Sequence, residues 1–207
     1  MRKMRRILSV SMCVGGVPQD PNINPLAYYN IWSLEGLWGL YFGEPVNFRW
    51  KGKLEQGKLG SGLRKISVLG DEYEAFVTGG TTVQELLEEG KIPSVSYSTI
   101  RHVNHLSKIL VLDSILNFRN NPELFYDIID GLPRGDGTDK VLLSVEVSGE
   151  DENGFPSKLT HEAVFLPKDD AGAMPYCTAF GGYTAFLNVK TRNLKGPVRQ
   201  EDLELMP

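Results

Sequence analysis

CVGGVPQDPNINPLAYYNIWSLEG, residues 13–36, decides how the rest of the chain is read. It opens like a loop. Gly15 and Gly16 let the backbone approach a neighbour closely or take a positive φ. Pro18, Pro21 and Pro25 then fix φ three times while offering no N–H. A segment this stiff loses little entropy when it orders around a ligand, although its composition also fits a plain structural connection.

Working outward, residues 7–12 form an apolar run that reads as a buried strand. The basic residues ahead of it could begin an export signal, but the run is too short to span a membrane and no small-x-small site precedes Cys13. On the other side, Trp32, Leu34, Leu37, Trp38, Leu40 and Tyr41 give a helix over residues 28–41 a broad apolar face, which Pro45 ends. Such an aromatic face suits a core or a subunit interface. Residues 46–51 alternate as a half-exposed strand, 51–53 make a turn, and 55–62 a polar, Gly-rich loop. Strands over 63–69 and 73–77 are joined by Gly70-Asp71. Thr82 with Glu85 fits a capping box that opens a helix, and no lysine follows as a P-loop would require.

Residues 93–100 are extended and deliver Arg101, and helices over 103–116 and 122–129 come next. Residues 141–147 and 159–166 read as paired strands, and a last helix starting near Ala173 is interrupted by Gly181-Gly182. No internal repeat, low-complexity block or linker divides the chain. The expectation is one domain over 1–207 with an α/β fold of the α+β kind, a mixed β-sheet with helices chiefly on one face.

A chain of 207 residues can build a sizeable core, and 41% hydrophobic with 23% charged residues is ordinary for a soluble globular protein. The formal charge of −4 argues against a nucleic-acid partner. Two cysteines, Cys13 and Cys177, make neither a disulfide scaffold nor a metal framework, and His102, His105 and His161 lack metal-ligand spacing. The expectation is a cytoplasmic protein with no metal and no membrane partner.

The order of residues in the opening stretch carries more. Cys13-x-Gly15-Gly16-x-Pro18, then Asn24-Pro25-Leu26-x-Tyr28, then Trp32-Ser33-x-x-Gly36, resembles the saccharopine dehydrogenase family, where such a segment opens the substrate-handling domain. The likeness returns at Glu74 to Thr78 and at Ser98 to His105. The latter is similar to the family's Thr-Leu-Arg-Tyr-Pro-Gly-His segment and keeps Arg101 and His105, with His102, Val103 and Asn104 in place of Tyr, Pro and Gly. The resemblance covers most of the chain and is loosest in the tail.

The resemblance implies NAD(P)-dependent hydride transfer between an amine and an imine on an amino-acid substrate, such as lysine, saccharopine or a carboxylated polyamine. It implies a homodimer and an upstream nicotinamide-binding Rossmann domain. The present sequence holds no G-x-G-x-x-G between a strand and a helix, so the expectation is that this chain alone binds no NAD(P) and transfers no hydride. Arg101 is then the candidate for a substrate carboxylate, because a guanidinium binds one bidentately, or else a surface ion-pair partner. His105 is the candidate for proton transfer, or else a helix-start residue bonded locally. Cys13, Gly15, Gly16, Pro18, Asn24, Tyr28, Trp32 and Ser33 would wall the substrate pocket. The alternative is a non-catalytic binding or dimerisation module on the same fold, which the departures at Tyr29, His102, Val103 and Asn104 favour.

Overall fold

Hydrophobic alternation alone would end the first strand at Met12, but pairing carries it six residues further, to Val14 on one edge and to Pro18 on the other. The computed structural model describes residues 4–168 and 170–192; the first residues of the basic start and the tail after 192 lie outside the described residues. In chain order the elements are β1 (Met4–Pro18), α1 (Leu34–Phe42), β2 (Val46–Trp50), β3 (Lys53–Gly57), β4 (Arg64–Val68) and β5 (Asp71–Val77). A 3₁₀ turn (Thr81–Val83), α2 (Gln84–Glu89), β6 (Ser94–Arg101), α3 (His105–Leu116) and α4 (Pro122–Asp130) follow, then β7 (Asp139–Asp151), β8 (Pro156–Phe165) and α5 (Ala173–Thr191).

The strands form one mixed sheet in the order β3-β2-β6-β1-β7-β8, with β5 also pairing β6 and β4 pairing β5. β1 runs parallel to β6, Val14 beside Thr99, and antiparallel to β7, Cys13 opposite Ser144. The helices pack on one face. There Tyr28, Leu37, Phe76, Leu106, Phe118 and Phe125 are fully buried in one cluster, each contributing about 1.5–3 kcal/mol by burial. Val83 and Leu87 close over Val95 beside it. On the opposite face, Cys13, Val17, Tyr73, Ala75, Ile100 and Leu142 form a second cluster that β4 touches through Val68 and Ile66.

Local details depart from the expected pattern for identifiable reasons. Residues 13–18 belong to β1 rather than to a loop, because the glycines permit a close approach within a strand: a Cβ on Gly15 would lie 2.2 Å from the Ile100 carbonyl oxygen. α1 starts at Leu34 instead of Tyr28, since Asn24 ties the preceding segment down and Ser33 provides the cap. Residues 55–57 of the expected loop belong to β3, which pairs with β2. The turn over Thr81–Val83 replaces the expected capping box, and α2 begins at Gln84 without a side-chain cap. α5 runs straight through Gly181 and Gly182, which lower helix propensity by about 1 kcal/mol each without breaking the hydrogen-bond ladder.

Candidate functional site

Ligands of open α/β sheets bind beyond the carboxyl ends of parallel strands. Here β1 and β6 end side by side, and a cleft of about 440 Å³ opens there between the strand ends, α1 and α5. Gly15, Gly16, Trp32, Tyr97, Arg101 and Met174 are among its walls. Two glycines let neighbouring side chains pack closely into its wall. A side chain on Gly16 would strike Met174 and Ile31 within 2.5 Å, and one on Gly80 would strike the Tyr97 ring at 2.5 Å.

Arg101 is the charged group of this cleft, and it is only 4% exposed. Its guanidinium lies over the Tyr28 ring at 5.0 Å and near the Tyr41 ring at 5.8 Å. Nε donates to the Tyr41 hydroxyl at 2.9 Å and Nη1 to the Ile100 carbonyl at 2.9 Å. All of these partners are neutral, and none of the ion pairs among the described residues involves Arg101. Burial acts to lower its pKa and the Tyr41, Tyr28 and Tyr97 phenols act to raise it; the net direction is upward, so the group keeps its charge. Among the described residues no carboxylate lies within ion-pair distance of it, although the buried Glu74 stands opposite in the β5–β6 register, and the free Nη2 edge of Arg101 is a seat for an anion.

Behind Arg101 the hydrogen bonds run in one direction. His105 Nδ1 lies 2.8 Å from the Leu26 carbonyl, which can only accept, so Nδ1 carries the proton. Nε2 is then an acceptor, and the Tyr41 hydroxyl donates to it at 2.8 Å while accepting from Arg101. The neutral imidazole this chain requires is enforced by burial, which with the Arg101 charge pushes the His105 pKa down to about 3. Tyr28 has no partner for its hydroxyl: the Trp32 indole acts on it electrostatically but falls outside hydrogen-bond geometry. Burial raises the Tyr28, Tyr41 and Tyr97 phenols, which are therefore protonated at neutral pH.

The helix starts next to the strand ends are already filled by buried carboxylates. Glu74 accepts from the Leu106 N–H at 2.6 Å and the Asn104 N–H at 2.8 Å at the start of α3. Asp139 accepts from the Ala173 N–H at 2.6 Å and the Met174 N–H at 2.8 Å at the start of α5. Neither end is free for a phosphate, and β1 leads into an irregular segment rather than a helix. β1 therefore lacks the strand-to-helix turn that a dinucleotide cradle uses.

Of the residues singled out from the sequence, Gly15, Gly16, Trp32 and Arg101 line the cleft, with Tyr28 directly beneath Arg101. The others take different places. Cys13 lies on the opposite face, where Arg64 Nη2 donates to its sulfur at 3.1 Å. The Pro18 carbonyl accepts from His102 Nε2 at 2.8 Å. Asn24 donates to the Tyr28 carbonyl at 2.6 Å and the Pro133 carbonyl at 3.0 Å, which pins the loop. Ser33 accepts from the Gly36 N–H at 3.1 Å and caps α1. His105 is fully buried behind Tyr41, with no place on the cleft wall. Trp38 donates inward to the Phe118 carbonyl at 3.0 Å. Sequence reasoning missed Tyr97, Thr82, Thr178 and the Gly79-Gly80 pair as cleft residues, and Tyr41 as a polar link. The glycine pair before Thr81 was the available signal.

Among the described residues no group of three His, Cys, Asp or Glu side chains could hold a metal ion, and no helix is long and apolar enough to cross a membrane. No protein-family model and no curated protein matches this sequence. Among solved structures, the chain is similar to apo histidine-tagged saccharopine dehydrogenase (L-Glu forming) from Saccharomyces cerevisiae, with a TM-score of 0.70 and 16% identity. The match covers 93% of this chain and 60% of that one. At this identity the likeness is one of fold, and it agrees with the mixed sheet and one-sided helices found here.

Proposed function

We propose that a chain with this saccharopine dehydrogenase-like fold is the substrate-holding domain of an NAD(P)-dependent oxidoreductase, and that Arg101 takes the carboxylate of an amino-acid substrate in the cleft. The observation that carries the reading is the buried, stacked guanidinium with only neutral partners at the end of the parallel strand pair. An incoming carboxylate supplies a countercharge at ion-pair distance, and the cleft that Arg101 lines admits the ligand to it. Tyr41 and His105 act as positioning groups that lock the guanidinium plane. NAD(P) supplies hydride chemistry when bound, and in this proposal another unit carries it, because the residues present do not form its cradle.

A second reading is a binding module without chemistry. The burial of His105 favours it, since that leaves the Tyr97 phenol and Arg101 as the cleft's titratable groups among its described lining. A thermal-shift screen with lysine, saccharopine and NAD(P)(H) tests both. At about a hundred times its Kd a ligand stabilises by about 2.7 kcal/mol, roughly 5–10 °C for a chain of this size. Stabilisation by the amino acids and not by nucleotide is expected. Stabilisation by nucleotide alone would overturn the proposal. Hydride transfer restored by adding a nicotinamide-binding unit would separate the enzyme from the module.

A further inference from the structure

The sheet face turned away from Arg101 carries a second hollow, floored by three strands with one alternating pattern. Ser9, Ser11 and Cys13 alternate on β1, Ser94, Ser96 and Ser98 on β6, and Ser144, Glu146 and Ser148 on β7. The register lines them up in rows: Cys13 beside Ser98 and Ser144, Ser11 beside Ser96 and Glu146, Ser9 beside Ser94 and Ser148. A strand face open to water favours larger side chains, β-branched and aromatic ones above all. Short hydroxyls in their place leave space. Two hollows of about 420 Å³ and 580 Å³ stand over this floor and share Ser11, Arg64 and Glu146 as walls.

Arg64 reaches across from β4. Its Nη1 donates to Ser98 Oγ at 3.2 Å and to the Gly62 carbonyl at 3.3 Å, and its Nη2 donates to Ser11 Oγ at 3.2 Å and to Cys13 Sγ at 3.1 Å, so that a ligand meets the guanidinium through its charge and its Nε–H. These partners are neutral, and none of the ion pairs among the described residues includes Arg64. Glu146 borders both hollows, ion-paired through one oxygen with Lys158 at 2.5 Å. Glu162 adds a second carboxylate to the smaller one while accepting from the Leu69 N–H at 3.0 Å. The larger hollow is walled by Phe48, Trp50 and Val77, and Trp50 is 54% exposed.

Arg64 and Glu146 border the same unfilled space, with Arg49 and Glu55 also on the larger hollow and Lys158 and Glu162 on the smaller; charges of both signs with an apolar wall beside them match a small zwitterion. We propose that this trough binds a free amino acid with an apolar side chain. Its carboxylate sits on Arg64, its ammonium faces Glu146, and its side chain lies along Phe48 and Trp50. Ser11 and Ser98 accept from Arg64 and so keep their own hydroxyl protons for the ligand's oxygens. This site is independent of the function proposed for the Arg101 cleft.

Backbone amide NMR of the labelled chain, titrated with L-phenylalanine, tests it. The expected result is saturable shifts at Ser11, Ser96, Ser98 and Glu146, with Gly16 and Gly80 at the cleft unmoved. Arg64→Gln and, separately, Glu146→Gln should each weaken binding about tenfold, the loss of one charge-assisted contact. The glutamate variant keeps the test decisive if the arginine variant fails to fold. Shifts confined to Gly16 and Gly80, no shifts at all, or unchanged affinity in a folded variant would overturn the proposal. Concentration-dependent broadening of the β7 and β8 amides without added ligand would overturn it too, because the face would then be packing against another copy of the chain.

Discussion

Replacing His105 with Gln should change how stability depends on pH more than it changes stability near neutrality. Wild-type His105 is sealed behind Tyr41 and bonded to the Leu26 carbonyl, with its pKa pushed from the ordinary 6.5 down to about 3. Unfolded, it takes up a proton below about pH 6.5; folded, it does so only near 3. Between those values the unfolded state binds more protons, so stability is fully present above 6.5 and is lost as pH falls. At about pH 5.5 the loss is one pH unit's worth, about 1.4 kcal/mol, set by the unfolded pKa because the folded group is still neutral there. A glutamine amide can donate to Leu26 and accept from Tyr41, but it does not titrate. Urea unfolding of both proteins at about pH 7.5 and about pH 5.5 isolates this contribution, since His102 and the carboxylates cancel in the difference. Wild type should lose about 1.4 kcal/mol more than His105→Gln over that interval. Parallel pH dependence of the two would refute the buried, neutral His105 and the directional chain through Tyr41.

The remaining predictions concern packing and caps. Tyr41→Phe leaves Arg101 Nε and His105 Nε2 buried without a partner and should cost about 1–3 kcal/mol in urea unfolding. Gly15→Ala drives a Cβ against the Ile100 carbonyl and should cost about 1–3 kcal/mol; a neutral result would mean β1 and β6 are less closely apposed. Asp139→Ala removes both hydrogen bonds at the start of α5 and should cost about 1–2 kcal/mol, with faster amide exchange at Ala173 and Met174.

Elements with a clean period were legible in the sequence, and elements fixed by distant partners were not. The alternation over β2, β5, β7 and β8 and the apolar spacing of α3 and α4 were visible because each is a local pattern. β1 was cut short because its glycines look like a loop until Ile100 and the β7 edge are in place. At the site, Arg101 was readable as a cation in a matching segment, whereas its partners Tyr41 and Tyr28 were sixty and more residues away in the chain. His105 drew attention for its chemistry, but a fully buried imidazole and a cleft-lining one look identical in sequence. The alternating serines also passed unread, because their meaning depends on three strands meeting in register.

Arg101 is the proposed seat of a substrate carboxylate. Isothermal titration of saccharopine into the wild-type chain and into Arg101→Met, with folding of the variant verified by circular dichroism, tests this most directly. Measurable binding to wild type and at least about tenfold weaker binding to the variant are expected, through loss of the charge-assisted contact. Equal affinity for the two proteins would contradict it.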